Sequence, residues 1–223
     1  MRTMLHILML ASSLLASGCV TPVAPIIFEE LGVAPLSKLG CPDLTGAYRH
    51  VFDGHDGKSG SDLFFVFLAG QPYATQLINQ EARSTQSKQI KVYDMKKGGE
   101  NTVYVMTNPN RGRVVIKHNA HMLQLVLTDE TDFMWAKSNI RLDTPDTGCR
   151  DGALVLRWRK LAGGGDFTST TQSYGEIQLK KEPDGSLLYS TWSNSRDYSS
   201  LVHTPSLGMG KPMQTWRVKP VPQ

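Results

Sequence analysis

Apolar and polar residues alternate in short runs from residue 41 to the C-terminus, and turn-forming residues separate these runs. A period of two indicates strands with one buried face, and turns every ~8–12 residues are typical of all-β domains. We therefore expect about ten short antiparallel strands, forming a barrel or a sandwich, in one domain over residues 41–219 and a short tail at 220–223. The predicted strands are 63–68, 90–93, 102–107, 113–118, 122–128, 132–137, 153–161, 175–181, 186–192, 198–203 and 213–219.

Two stretches depart from simple alternation. Residues 63–68 are a continuous apolar run rich in aromatic residues, which predicts a strand buried on both faces. Residues 74–87 alternate only weakly and fit either a short helix or a polar loop.

Three turn-rich segments predict hairpins at 108–112, 129–131 and 182–185. The last has the strongest turn chemistry, because Pro183 presets the backbone angle of the first turn position and Gly185 accepts a positive φ.

The N-terminal region has a different pattern. Arg2, an apolar run over residues 5–15 and the small residues Ala16, Ser17 and Gly18 are the parts of a secretory leader. The apolar run is shorter than the ~20 residues of a membrane-spanning helix. Three prolines over residues 20–40 disfavour a long helix or a central strand. Residues 19–40 are accordingly predicted to be a tether, with a short helical turn at 28–31.

Cys19 directly follows the small residues, and Leu-Ala-Ser-Gly-Cys resembles the lipobox of bacterial lipoproteins. The resemblance implies that signal peptidase II removes residues 1–18 and that Cys19 becomes the lipidated N-terminus. In these lipoproteins, Asp directly after the lipidated cysteine is the signal for retention in the inner membrane. This chain has Val20 at that position, so the resemblance implies anchoring in the outer membrane, facing the periplasm. The alternative is an ordinary leader with a chance cysteine.

Lipidation of Cys19 leaves Cys41 and Cys149 as a pair in an oxidising compartment, which predicts a disulfide. Two separate buried thiols are the alternative.

A second resemblance depends on four short features: the opening Cys41-Pro-Asp-Leu-Thr-Gly-Ala-Tyr48, the later Cys149-Arg-Asp-Gly-Ala-Leu-Val-Leu156, the turn Asp184-Gly-Ser-Leu187 and Trp216. Together they resemble a group of proteobacterial envelope lipoproteins. That group has no assigned activity, so the resemblance implies a shared framework with paired cysteines and no function.

Composition narrows the possible partners. The chain is 40% hydrophobic and 20% charged, as in ordinary globular proteins, and its net charge of +4 is too mild to indicate nucleic-acid binding. Residues 83–118 are locally basic. They would attract anionic phospholipid, lipopolysaccharide or acidic glycan if they shared one face; otherwise they are solubilising outward positions. The cations proposed for this anionic-surface patch are Lys88, Lys91, Lys96, Lys97, Arg111, Arg113 and Lys117.

Candidate catalytic and metal sites are weak. The polar loop 53–62 has carboxylates for a hard cation, but His55 and Phe64 break the EF-hand pattern. His118 and His121 could bind zinc only with help from residues such as His50 or His203. Without a nucleophile elbow or an intact phosphate-binding loop, we expect no catalytic residues, no metal and no cofactor.

Two functions stay open from the sequence. The first is a non-enzymatic, lipid-anchored envelope module that binds a protein or a glycan. The alternative is a lipocalin-like carrier of a small apolar ligand. The fold distinguishes them, because a closed barrel with a hollow apolar interior favours the carrier and a filled sandwich favours the binding module. We expect Trp135, Trp158, Trp192 and Trp216 in the core rather than around a ligand.

Overall fold

The computed structural model describes residues 25–58, 62–69, 74–78, 87–94, 99–163, 169–199, 202–207 and 211–222. The fold is all-β, as predicted, with one short helix, α1, at Phe64–Ala69. The strands are β1 Gly46–Arg49, β2 Ala74–Ile78, β3 Ser87–Asp94, β4 Gly99–Met106, β5 Arg113–His118, β6 Met122–Thr128, β7 Met134–Arg141, β8 Thr147–Arg150, β9 Ala153–Gly163, β10 Ser169–Lys181, β11 Leu187–Ser199, β12 Val202–Leu207 and β13 Lys211–Val218.

Two antiparallel sheets form a sandwich rather than a closed barrel. The first sheet has the order β1-β5-β6-β7-β2. The second has the order β12-β11-β10-β9-β8, with β13 also pairing with β11, while β3 and β4 form a separate two-stranded ribbon. Along one side, the residues after β13 bond to β1: Arg49 N donates to Lys219 O at 3.0 Å and Val221 N donates to Ala47 O at 2.9 Å.

The interior between the sheets is filled. Alternate residues of the first sheet point inward, such as Ile116 on β5 and Leu125 on β6, and meet Leu156 and Ile177 from the second sheet in one continuous core. This alternation follows from the pleat of a strand, which turns successive side chains to opposite faces.

Two of the predicted hairpins are confirmed. β6 and β7 pair around the turn that contains residues 129–131, and β10 pairs with β11 across the turn at 182–185. Gly185 has a φ of 82°, the conformation for which its glycine was expected. The hairpin predicted at 108–112 is wrong, because β4 pairs with β3 while β5 is already paired with β1 and β6.

The strand predicted at 63–68 is also wrong, since these residues form α1. Phe64, Phe65, Leu68 and Ala69 are buried, whereas Val66 is half exposed, which is the spacing of one helical face. A short apolar run has no periodicity of its own to separate a buried strand from a buried helix. The segment 74–87, expected to be a helix or a loop, begins with the strand β2, which pairs with β7.

The predicted tether does not stay free of the domain where it is described. Ile26 and Phe28 are buried, and Ser37 forms a β-bridge to Cys149. A 3₁₀ turn at Glu29–Leu31 lies within the predicted helical turn. The prolines disfavour a long helix or a central strand in this segment. The aromatic and aliphatic residues between them still bury apolar surface against the domain.

Candidate functional site

A cleft of about 620 Å³ opens at the side of the sandwich, between α1 and the first sheet. Such a volume is within the range of ~300–1,000 Å³ that is usual for small-molecule sites. Eight of the fifteen lining residues are apolar: Leu63, Phe65, Val66, Met106, Pro109, Leu127, Trp135 and Ala136. The polar ones are His50, Asp56, Lys58, Thr107, Asn108 and Asn110. Val66 is 49% exposed and lies on the outward side of α1.

His50 lies in the wall of this cleft, where the chain passes from β1 towards α1. Its backbone is fixed at both ends, because His50 N donates to Gly112 O at 3.0 Å and Phe64 N donates to His50 O at 2.8 Å. The imidazole packs edge-on to the Phe65 ring at 6.4 Å. Only 3% of His50 is exposed.

The Nδ1 atom of His50 is buried and has no hydrogen-bond partner among the described residues. Burial lowers the pKa of His50 to about 4, so the imidazole is neutral at pH 7. An unpaired polar atom in apolar surroundings costs ~1–3 kcal/mol. Nδ1 of His50 is therefore enclosed by the protein itself, and the neutral imidazole adds to the uncharged wall of the cleft.

The rim of the cleft is formed by two loops that are fixed to each other. Asn110 Nδ2 donates to Asp56 O at 2.9 Å, and Asp56 pairs with Lys58 at 3.0 Å. Gly57, with a φ of 74°, approaches Pro109 so closely that a Cβ there would lie 3.0 Å from Pro109 Cγ. The glycine therefore allows both the backbone turn and the contact between the loops.

The Trp135 wall of the cleft is fixed by a buried carboxylate. Trp135 Nε1 donates to Asp129 Oδ2 at 3.2 Å, and Asp129 Oδ1 accepts from Thr131 N at 2.8 Å and Phe133 N at 3.2 Å. Burial alone would raise the pKa of Asp129, but these hydrogen bonds outweigh burial and lower it. The indole is thus held in one orientation before any ligand arrives.

A second region of buried polar groups lies on the outer face of the second sheet. Glu176 is fully buried; its Oε1 accepts from Arg157 Nε at 3.1 Å and its Oε2 accepts from Trp192 Nε1 at 3.1 Å. Arg150 donates to both carboxylate oxygens. Burial favours a raised pKa for Glu176, but the three donor side chains outweigh it and lower the pKa.

This network holds the segment that precedes β1. Arg157 Nη1 reaches Glu29 Oε1 at 2.8 Å, and the Arg157 guanidinium lies 4.6 Å from the centre of the Phe28 ring. Phe28 in turn packs edge-on to Tyr174 and Trp192. Sequence reasoning missed this network, because charged residues at alternate strand positions normally face solvent.

The disulfide predicted between Cys41 and Cys149 is confirmed, with Cα atoms 5.2 Å apart. Ser37 pairs with Cys149 through two backbone hydrogen bonds, and Lys38 Nζ donates to Leu142 O at 3.0 Å and Thr144 O at 2.6 Å. The disulfide therefore links β8 to a segment that the Ser37 hydrogen bonds already hold against it.

The structure does not bring the candidate metal ligands together. In the loop 53–62, His55 pairs with Asp62 at 2.8 Å and Asp53 pairs with Lys219 at 2.8 Å. Across the described ranges, no group of three or more His, Cys, Asp or Glu side chains is placed to hold a metal ion.

The candidate histidines are also separated by site. His118 and His121 line a second cleft of about 640 Å³ beside the disulfide, whereas His50 lines the first. His118 Nδ1 accepts from Leu44 N at 3.3 Å. His203 lies in β12, and its side chain is outside the described residues.

The proposed anionic-surface patch is only partly described. Arg111 pairs with Glu130 at 2.9 Å and Arg113 pairs with Asp132 at 2.7 Å, so their charges are locally balanced. Lys117 is exposed on β5. Lys88 and Lys91 lie on β3, and Lys96 and Lys97 are outside the described residues.

The tryptophans have different surroundings. Trp158 and Trp216 pack against the main core, Trp192 lies beside Phe28, and Trp135 forms a wall of the cleft.

Cys19, the residue predicted to be lipidated, lies outside the described residues. No helix in the described part of the chain has the length and apolar character needed to cross a membrane.

No protein-family model, curated protein or solved structure matches this chain.

Proposed function

We propose that this protein is a non-enzymatic binding module of the bacterial envelope, and that the cleft beside α1 takes a small apolar ligand. The observation that carries the proposal is a cleft of suitable volume with apolar walls, which include Phe65 and Trp135, and a few polar lining residues such as Asn108 and Asn110. Binding sites for small molecules typically combine apolar walls with a few polar groups that orient the ligand.

A filled sandwich favours a binding module over a lipocalin-like carrier, and the lateral cleft gives that module a site for a small apolar ligand. The interior of the sandwich is filled by the core, and the ligand site is lateral. A large anionic partner has less support, because Arg111 and Arg113 are each paired with an acidic side chain.

Anchoring belongs to the same proposal and is supported by the sequence. The leader and the lipobox-like residues before Cys19 favour lipidation of Cys19, and Val20 favours the periplasmic side of the outer membrane. Several acyl chains on one residue would give stable anchoring. We expect Cys19→Ser to abolish labelling with radioactive palmitate in cells, and unchanged labelling would contradict the anchor.

The ligand site is tested by filling the cleft. Naphthalene, an apolar probe without a hydrogen-bonding group, is titrated into the protein by calorimetry. We expect Val66→Trp to abolish binding, because the half-exposed Val66 lines the cleft and can be enlarged without disturbing the core.

Leu161→Trp is the matched control, since Leu161 is also an exposed aliphatic residue but lies on β9, away from the cleft. This variant should bind naphthalene as the unmodified protein does. Absence of binding in the unmodified protein, or an equal effect of the two variants, would overturn the proposed site.

A further inference from the structure

We infer that the lipid-anchored domain rests on the phospholipid surface through the outer face of its second sheet, at the end where the N-terminal segment first meets that sheet. This inference rests on the lipid anchor of the proposed function and adds the surface that meets the membrane. It follows from where the N-terminal segment is attached and from the apolar side chains exposed beside that point.

Residues 26–37, which we call the strap, are attached to the second sheet at both ends. The first part of the strap buries Ile26 and Phe28 against the outer face of the sheet. Its last residue, Ser37, exchanges two backbone hydrogen bonds with Cys149. The strap is therefore part of the domain and cannot serve as free tether.

The link between the strap and the anchor is consequently short. Only residues 20–25 separate Ile26 from Cys19, and these seven Cα–Cα steps span at most about 25 Å in any conformation. A tether that was free as far as Cys41 would allow about 75 Å. The start of the strap must therefore stay close to the bilayer that holds the acyl chains.

The strap runs antiparallel to β9, which fixes the end of the sheet from which the link departs. Ser37 pairs with Cys149 beside the start of β9. Farther along β9, the Arg159 guanidinium lies 5.2 Å from the centre of the Phe28 ring. Leu161 follows on the same face of β9, because alternate residues of a strand share a face. The chain therefore leaves the sheet towards Leu161.

This end of the sheet exposes apolar side chains next to a cation. Leu161 is 59% exposed on β9, and Ile27 is 44% exposed on the strap. Gln172 pairs with Leu161 on one side and with Arg196 on the other, so the three side chains share one face. Aliphatic groups and an arginine suit the lipid interface, where the former can enter the acyl region while a guanidinium binds phosphate.

The inferred orientation leaves the cleft open to water. The cleft and α1 lie beside the first sheet, on the other side of the main core from the strap. A domain that rests on its second sheet therefore presents the cleft to the aqueous phase, where a small ligand can enter it.

The test uses the full-length lipidated protein in vesicles of phosphatidylethanolamine and phosphatidylglycerol. Leu161→p-benzoylphenylalanine places a photo-crosslinker in the inferred contact surface. Lys117→p-benzoylphenylalanine is the matched control, since Lys117 is also an exposed strand residue but lies on the outer face of the first sheet. After irradiation, mass spectrometry measures phospholipid adducts, and we expect a severalfold higher yield at position 161 than at position 117.

Lengthening the link tests why the surface meets the membrane. A Gly-Ser insertion of about twenty residues between Val20 and Thr21 lies outside the domain and adds a reach on the order of 25 Å. We expect the adduct yield at position 161 to fall towards the yield at position 117. An unchanged yield at position 161 would overturn the inference, because the contact would not depend on the short link.

The outcomes separate the inference from the proposed function. Equal yields at the two positions, or a higher yield at position 117, would overturn the inference alone if the protein still carries palmitate and floats with the vesicles. Absence of palmitate labelling and of vesicle binding in the unmodified protein would overturn the proposed anchor and this inference together.

Discussion

Two of the buried polar side chains in the described structure, Glu176 and His50, have contrasting surroundings. On the outer face of the second sheet, Glu176 is fully buried and both of its carboxylate oxygens accept hydrogen bonds. In the wall of the cleft, His50 is almost as deeply buried, but its Nδ1 atom has no partner among the described residues. The first group is fully paired in the folded protein, whereas the second is buried with one nitrogen unpaired.

The comparison separates a buried polar group that stabilises the fold from one that costs stability. A buried charge that is paired and hydrogen-bonded fixes the elements that contribute to it. Arg157 thereby joins the sheet to Glu29 in the N-terminal segment. A buried neutral group left unpaired lowers stability instead, because the lost hydration is not replaced.

The largest expected effect comes from breaking the complete network. Glu176→Ala removes the buried carboxylate that Arg150 and Arg157 share and leaves Arg157 with the half-exposed Glu29 as its remaining carboxylate partner. We expect a loss of ~3–5 kcal/mol in the free energy of unfolding. Urea unfolding measures this loss. Glu30→Ala is the control, since Glu30 is exposed in the same N-terminal segment, and it should change stability by less than ~0.5 kcal/mol. A comparable loss in the two variants would show that the network does not hold the fold.

The second prediction concerns His50. Replacing it should raise the free energy of unfolding at low pH, by less than Glu176→Ala lowers it. The pKa of His50 is lowered from 6.5 to about 4 by burial, so the unfolded chain binds the proton more readily than the folded protein does. The stability contributed by neutral His50 is fully present above pH 6.5 and is lost as the pH falls towards 4, by up to ~3 kcal/mol.

His50→Leu removes this titration, so its stability should exceed that of the unmodified protein increasingly as the pH falls from 6.5 towards 4. Chemical unfolding at several pH values measures the difference. His118, whose pKa is also lowered by burial, titrates in both proteins and cancels from the comparison. Ser138→Ala is the control, because Ser138 Oγ is also buried without a partner in the described structure but does not titrate, and it should keep the pH dependence of the unmodified protein. A difference between His50→Leu and the unmodified protein that does not change with pH would show that His50 is not the group responsible.

The sequence predicts these two regions unequally well. The bounds of β5 and β6 match the predicted 113–118 and 122–128, because turn-forming residues at 108–112 and 129–131 flank this pair of runs in the sequence. The disulfide followed from counting cysteines in an oxidising compartment. These features depend on local pattern or on composition.

The candidate site depends on tertiary contacts that no local pattern encodes. From the sequence, His50 is only a possible zinc ligand. Its burial without a hydrogen-bond partner for Nδ1 depends on residues that surround it only in the folded protein. The apolar run at 63–68 became a helix because packing, not periodicity, decides the structure of a short buried segment. Phe28 was placed in a tether, although its binding surface on Tyr174 and Arg157 lies more than a hundred residues away along the chain.

The smallest expected effect is at an exposed ion pair, which extends the comparison to charges that remain in water. Arg111 and Glu130 are 2.9 Å apart with both side chains substantially exposed, so Glu130→Gln should lower the free energy of unfolding by less than ~1 kcal/mol. The difference should shrink further in high salt because mobile ions screen exposed charges. A double-mutant cycle with Arg111→Gln measures the pair itself, and a coupling as large as the Glu176→Ala effect would contradict the view that burial, rather than ion pairing alone, makes the Glu176 network strong.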